Sequence, residues 1–150
     1  MLLLADEEGQ VRSRAVQSLA DLDGLYTLPA LLQALQDPNS DVRWIAALAL
    51  GKLEGPETVE ALIALLTDED KEVGRIAAEG LGQKGDLRAV PHLIAAVRDS
   101  YPLLRESAAL ALGQLADTRA LPALQELLQD ASMQVRHCAE RALARLSPTA

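Results

Sequence analysis

The sequence predicts an all-α chain of stacked two-helix units, and three observations carry that prediction. The first is a segment that recurs at a fixed step of 31 residues: Val11-Arg12, Val42-Arg43, Val73-Gly74, Leu104-Arg105 and Val135-Arg136 align without a gap. Four residues after each first member stands Ala15, Ala46, Ala77, Ala108 or Ala139, and eight after it Leu19, Leu50, Leu81, Leu112 or Leu143. The second is apolar spacing. Leu28, Leu31, Leu32 and Leu35 recur at helical intervals rather than in the alternation of a strand. The third is punctuation. Asn39, Asp70 and Ser132 share one column just before the recurring segment, where a short side-chain oxygen can accept from free N–H groups. Gly24, Gly55 and Gly85 fall just past its end, where a left-handed residue closes a helix.

Taken in order, residues 1–5 align with 32–36 and so represent only the last part of a first helix. Such a remnant is too short to nucleate well alone, and it leads us to expect a chain cut from a longer array. From there each unit carries a first helix (A) and a second helix (B). Helix A opens on Leu28-Pro29, Val59-Glu60, Val90-Pro91 or Leu121-Pro122. Proline costs nothing there, because first-turn N–H groups have no partner within the helix. Helix B is the Val-Arg segment, and in the fourth copy Tyr101-Pro102 replaces the polar cap. The units are 1–23 (truncated), 24–54, 55–85, 86–116 and 117–150, all in one domain. In the last, the small column Ala47, Ala78, Ala109 becomes Glu140, Arg141 and Arg145 follow, and Ser147-Pro148 stops the helix. A polar outer face suits a terminal repeat.

The run Asp37…Val42-Arg43…Ala46-Ala47…Ala49-Leu50-Gly51, preceded by Leu-Pro-Ala-Leu-Leu, resembles the HEAT-like repeats, specifically the short class named after phycobilisome lyases. The resemblance covers essentially the whole chain. It implies a right-handed α-solenoid, an armadillo-like superhelix, with helix A on the convex side and helix B lining the concave side. It also implies an electrostatic ladder between units. Asp37, Asp68, Asp99 and Asp130 sit in the A–B turns, and Arg43, Arg105 and Arg136 (with Arg12) start the B helices. An exposed rung of this kind contributes about 0.5 kcal/mol. Gly74 interrupts the ladder and, with Gly80, places poor helix formers in the third B helix, so the middle of the array is expected to be its softest joint.

Bulk composition narrows the function. The chain has 150 residues, 49% hydrophobic residues, 2% aromatic residues and no Phe, which fits thin Leu/Ala layers between close helices. A solenoid needs about three units for stability, and five copies of helix B exceed that. A net charge of −8 argues against nucleic acid, which needs a basic face to displace counterions, and against an anionic membrane. Cys138 is alone, so no intramolecular disulfide can form. Met1-Leu2-Leu3-Leu4 lacks the basic and long apolar parts of a signal peptide, and the expected location is the cytoplasm.

The candidate site is on the outward side of helix B. The columns two, three and six positions after the Val are expected to face away from the core. Trp44, Ile45 and Leu48 share one such stripe, with Ile76 and Leu110 extending it onto later units. Arg14, Arg75 and Glu79 would rim it, with Glu106 helping to set register. An apolar centre bearing the only Trp, with an arginine-bearing rim, has the composition of a protein-binding hot spot.

Catalytic chemistry finds no comparable constellation. His137 and Cys138 are adjacent, so they point different ways on a helix, and His92 belongs to the other helix of its unit. Cys138 has no third group to orient a base. Iron hydroxylases of this repeat family carry His-Glu pairs, whereas the matching positions here are Trp44-Ile45, Arg75-Ile76, Glu106-Ser107 and His137-Cys138. The expectation is therefore a non-enzymatic module without metal or cofactor, holding a protein or peptide on the concave face. Self-association through the open N-terminal face is a further expectation. The alternatives are a bilin lyase or chaperone-like subunit, as the resemblance implies, and a structural spacer from a longer array.

Overall fold

The computed structural model describes residues 8–21 and 27–146. The helix remnant expected at 1–5, Gly24 and the Ser147-Pro148 stop lie outside the described residues. Within them the chain is an all-α solenoid. The B helices are α1 (Gly9–Ala20), α3 (Ser40–Lys52), α5 (Lys71–Lys84), α7 (Pro102–Leu115) and α9 (Met133–Leu146). The A helices are α2 (Thr27–Ala34), α4 (Pro56–Leu65), α6 (Val90–Ala96) and α8 (Leu121–Glu126). Short 3₁₀ turns at Leu87–Ala89 and Thr118–Ala120 lead into α6 and α8, and another at Leu127–Gln129 follows α8.

The caps follow the sequence with one shift. Asn39 Oδ1 accepts from the Asp41 N–H at 2.8 Å, and Asp70 Oδ1 from the Glu72 N–H at 3.0 Å. Gly85 closes α5 in the left-handed region at φ 70°. Gly55 does not close α3: Leu53 ends that helix in extended conformation, and Gly55, at φ 129°, sits one step later as the N-cap of α4. In the next two units that column is Asp86 and Asp117, which cap the 3₁₀ turns by accepting from the Arg88 and Arg119 N–H groups. Lys84 reaches back a full unit to donate to the Leu53 carbonyl at the end of α3. A cation there meets the negative end of the helix dipole.

The Val, Ala and Leu columns form the core. Val42, Val73, Leu104 and Val135 are at most 1% exposed, and Leu50, Leu81 and Leu112 are fully buried. Val11, Ala15 and Leu19 of α1 are only half-buried. Successive B helices pack directly on one another, whereas successive A helices meet far less. Small residues permit this. Gly51 faces Gly80, and a Cβ on Gly82 or Gly113 would fall 2.9 Å from the Ala111 or Ala142 Cα. Gly74 lies close against the end of α4, where a Cβ would stand 3.1 Å from the Leu66 carbonyl oxygen.

The ladder joins consecutive units. Arg12 grips Asp37 through Nε (2.7 Å) and Nη2 (2.9 Å), and Arg43 grips Asp68 through the same atoms at 2.9 and 2.8 Å. Arg105 grips Asp130 at 2.7 and 2.8 Å. Each aspartate also accepts from the N–H two residues on, at Asn39, Asp70 and Ser132, so one carboxylate both shapes its turn and links two units. Gly74 does not break the ladder. Lys71 Nζ, from the first turn of the same helix, meets Asp99 at 2.8 Å. Arg136, in the last unit, donates to its own turn's Asp130 carbonyl at 2.6 Å.

These rungs set an acid response. Hydrogen bonds from Arg12 and Arg105, against some desolvation, hold Asp37 and Asp130 below the ordinary carboxylate value of 3.8. A lowered folded-state pKa contributes stability that is complete above 3.8 and lost as pH falls through the folded value. Urea midpoints are thus expected to hold from pH 7 to 5 and to drop below about pH 4. Asp37→Asn/Asp130→Asn is expected to start lower at pH 7 and to lose less between pH 5 and pH 3. An unchanged slope in that interval would count against the assignment.

Candidate functional site

An α-helix advances about 100° per residue, so positions two and six after the core Val point away from the core. The structure places Trp44, Leu48, Arg75, Glu79, Glu106 and Leu110 on that side, all half-buried, with Arg14 exposed. Trp44, Ile45, Leu48 and Leu110 rest on the core while keeping an open face. Ile45 and Leu48 line a groove of about 230 Å³ between α1 and α3, together with Gln17, Ala20 and Lys52.

The third column behaves differently. Ile76, expected on the surface, is only 5% exposed, and Ser107 and Cys138 in the same column are buried too. This position lies about 60° from the Val column, beside the seam of small residues. Where Gly80, Ala111 and Ala142 let the preceding B helix come close, it is covered. Ile76 therefore belongs to the core and leaves the apolar stripe in two parts, Trp44-Ile45-Leu48 and Leu110.

Between those parts lies a polar network. Arg75 Nε donates to Glu72 at 2.8 Å and Nη1 to Glu79 at 2.5 Å. The Tyr101 hydroxyl donates to Glu72, and the Ser107 hydroxyl to Glu79 at 3.2 Å. Hydrogen bonds from Tyr101 and Arg75 hold the Glu72 carboxyl below its usual range. Desolvation pulls the Arg75 pKa down, but its two carboxylates outweigh this and hold it up. Arg75 and Glu79 are thus bound to each other across α5, and the network ties α5 to α7. The Glu72, Arg75, Glu79 spacing was legible as a helix-face pair pattern. Tyr101 and Ser107 come from the next unit, so only packing reveals them.

Cys138 is buried, and desolvation, followed by the Glu106 carboxylate, pushes its thiol pKa up, the opposite of what a nucleophile needs. His137 Nδ1 lies 3.7 Å from Glu140 at the surface. Among the described residues no three His, Cys, Asp or Glu side chains converge on a metal-sized site, and no helix is long and apolar enough to cross a membrane.

Comparison with curated protein sequences gave no match. Among solved structures, the complex of CpcE and CpcF of phycocyanin lyase from Nostoc sp. PCC7120 contains a similar chain, at TM-score 0.82 and 28% identity over 99% of this chain. This chain spans 64% of that one's length. Human deoxyhypusine hydroxylase, solved with glycerol, is similar at TM-score 0.71 and 26% identity, with 97% of this chain and 60% of that one covered. A designed armadillo repeat protein in complex with the peptide (KR)4 shares the fold, at TM-score 0.72 and 21% identity over 97% of this chain and 80% of that one. A family model for HEAT repeats matches residues 1–77 and 59–144. With the 31-residue register, the stacked helix pairs and this match in agreement, the chain belongs to the HEAT repeat family.

Proposed function

We propose that the protein is a non-enzymatic interaction module that holds a protein or peptide along the concave face formed by its B helices. The observation that carries this is the half-open Trp44, Ile45 and Leu48 stripe beside the groove between α1 and α3. A large aromatic that already rests on a rigid core loses little freedom when a partner covers it, which is how hot spots gain affinity. The neighbours support the reading: one occurs in a CpcE–CpcF complex, and a designed relative in fold holds a peptide. Leu110 extends the apolar surface, Arg14 lies at its edge, and Glu106, with the Arg75–Glu79 pair, sets register.

The test is capture of a partner by the wild type, followed by titration against Trp44→Ala/Leu48→Ala, with circular dichroism to establish that the variant is helical. Affinity is expected to fall by at least about 2 kcal/mol. Equal affinity would reduce the stripe to packing and favour the spacer reading. A second reading, a bilin lyase or chaperone-like subunit, draws on the likeness to the phycocyanin lyase complex. It requires a coloured complex on mixing with a bilin.

A further inference from the structure

Guanidinium groups along this chain are mostly committed internally. Arg12, Arg43 and Arg105 form the ladder, Arg75 lies between two glutamates, and Arg98 and Arg119 pair with Glu126 and Asp117. Arg14, Arg141 and Arg145 are the exceptions, and the last two stand together. Both are exposed and neither makes an ion pair among the described residues. They stand one helical turn apart on α9, on the wall of a groove of about 250 Å³ between α7 and α9. Leu110, Gly113 and Gln114 of α7 form the other wall, and Ala142 the floor.

Its lining contains no carboxylate. The groove between α1 and α3 sets Asp21 beside Lys52, and the one at the turn edge sets Arg43 among Asp37, Asp68 and Glu69. In a chain of net charge −8, two like charges one turn apart with no carboxylate in ion-pair contact leave part of their charge uncompensated. A polar end cap does not account for them. The groove lies between two B helices and is continuous with the concave face through Leu110, rather than on the terminal surface.

We propose that this groove receives a carboxylate side chain of the protein segment held on the concave face, with an apolar neighbour of that residue resting on Leu110. The inference rests on the concave-face reading. Planar guanidinium forks match a carboxylate in two-point geometry, and the Gln114 amide can donate a further hydrogen bond. Glu106 and Glu140 flank the site from α7 and α9, and their repulsion disfavours a doubly charged phosphate relative to a single carboxylate.

Fluorescence anisotropy with fluorescein-labelled (Glu-Leu)4 and (Lys-Leu)4 peptides at low salt tests this on the full chain. The wild type is expected to bind (Glu-Leu)4 at least tenfold more tightly than (Lys-Leu)4, with affinity falling as salt rises. Arg141→Gln/Arg145→Gln, confirmed helical by circular dichroism, is expected to lose at least tenfold for (Glu-Leu)4. Absent binding by the wild type, equal binding by the arginine variant, or preference for (Lys-Leu)4 would each overturn the proposal. So would displacement of the peptide by inorganic phosphate at concentrations where acetate has no effect. Loss in Trp44→Ala/Leu48→Ala with the arginine variant unaffected overturns the carboxylate groove and leaves the concave face standing. Loss in the arginine variant alone supports the groove and removes Trp44 from the site.

Discussion

Arg43→Ala is expected to destabilise the protein by about 3 kcal/mol, several times the value of a surface ion pair. The reason is burial. The Arg43 and Asp68 side chains are 7% and 8% exposed, and the same guanidinium also donates to the Asp37 carbonyl at 2.8 Å. Removing it leaves a carboxylate that is 8% exposed without its two-point partner between the two units. Asp68 must still accept from the Asp70 N–H at 2.8 Å, so its charge cannot swing out to solvent without opening the turn. Two controls separate this from lost packing. Lys71→Ala, at a rung whose lysine is 41% exposed, is expected to cost only about 0.5 kcal/mol. Arg43→Met/Asp68→Asn removes the stranded charge, keeps an acceptor for the turn, and is expected to recover much of the loss. Urea unfolding of the three variants decides it. A cost below about 1 kcal/mol for Arg43→Ala would mean the rung is screened like any surface pair.

Gly113→Val is expected to cost a similar amount, about 3 kcal/mol, by a steric route. A Cβ on Gly113 would fall 2.9 Å from both the Cα and the Cβ of Ala142. Neither is the flexible end of a side chain, so no rotamer change relieves the clash. Instead α7 and α9 must separate, loosening the Leu112 and Ala139 layer beneath, where both residues are fully buried. Gly51→Ala serves as the counterpart. Its Cβ would meet the Gly80 Cα at 3.5 Å, an ordinary contact, so the better helix former is expected to add about 0.5 kcal/mol. Opposite signs for two glycines of one column, nine residues after the core Val, are the diagnostic outcome in thermal melts. A destabilising Gly51→Ala would show that the whole seam is packed to its limit.

Much of this architecture is legible in the residues themselves. The fold class, the helix pairing and the polar N-caps of Asn39 and Asp70 follow from column identity at a step of 31, because each depends on spacing within a unit, whereas the ladder is what the resemblance to HEAT-like repeats implies. Arg12, Arg43 and Arg105 meet the aspartates of the following unit, as that resemblance implies.

Other features depend on how closely two helices approach, which no column states. Ile76 has the outward phase of Ile45 yet is buried, because Gly51 and Gly80 bring α3 and α5 together beside it. Lys71 restores a rung that Gly74 omits, because a long flexible side chain three positions earlier can span the same gap. Tyr101 and Ser107 reach Glu72 and Glu79 only once α7 packs on α5. The arginine-lined groove between α7 and α9 likewise exists only as a space between two helices. Periodicity along one chain assigns each residue a direction on its own helix. Whether that direction meets solvent, a core or a charge is decided by the distance to the next helix, which is a property of side-chain volume packed in three dimensions.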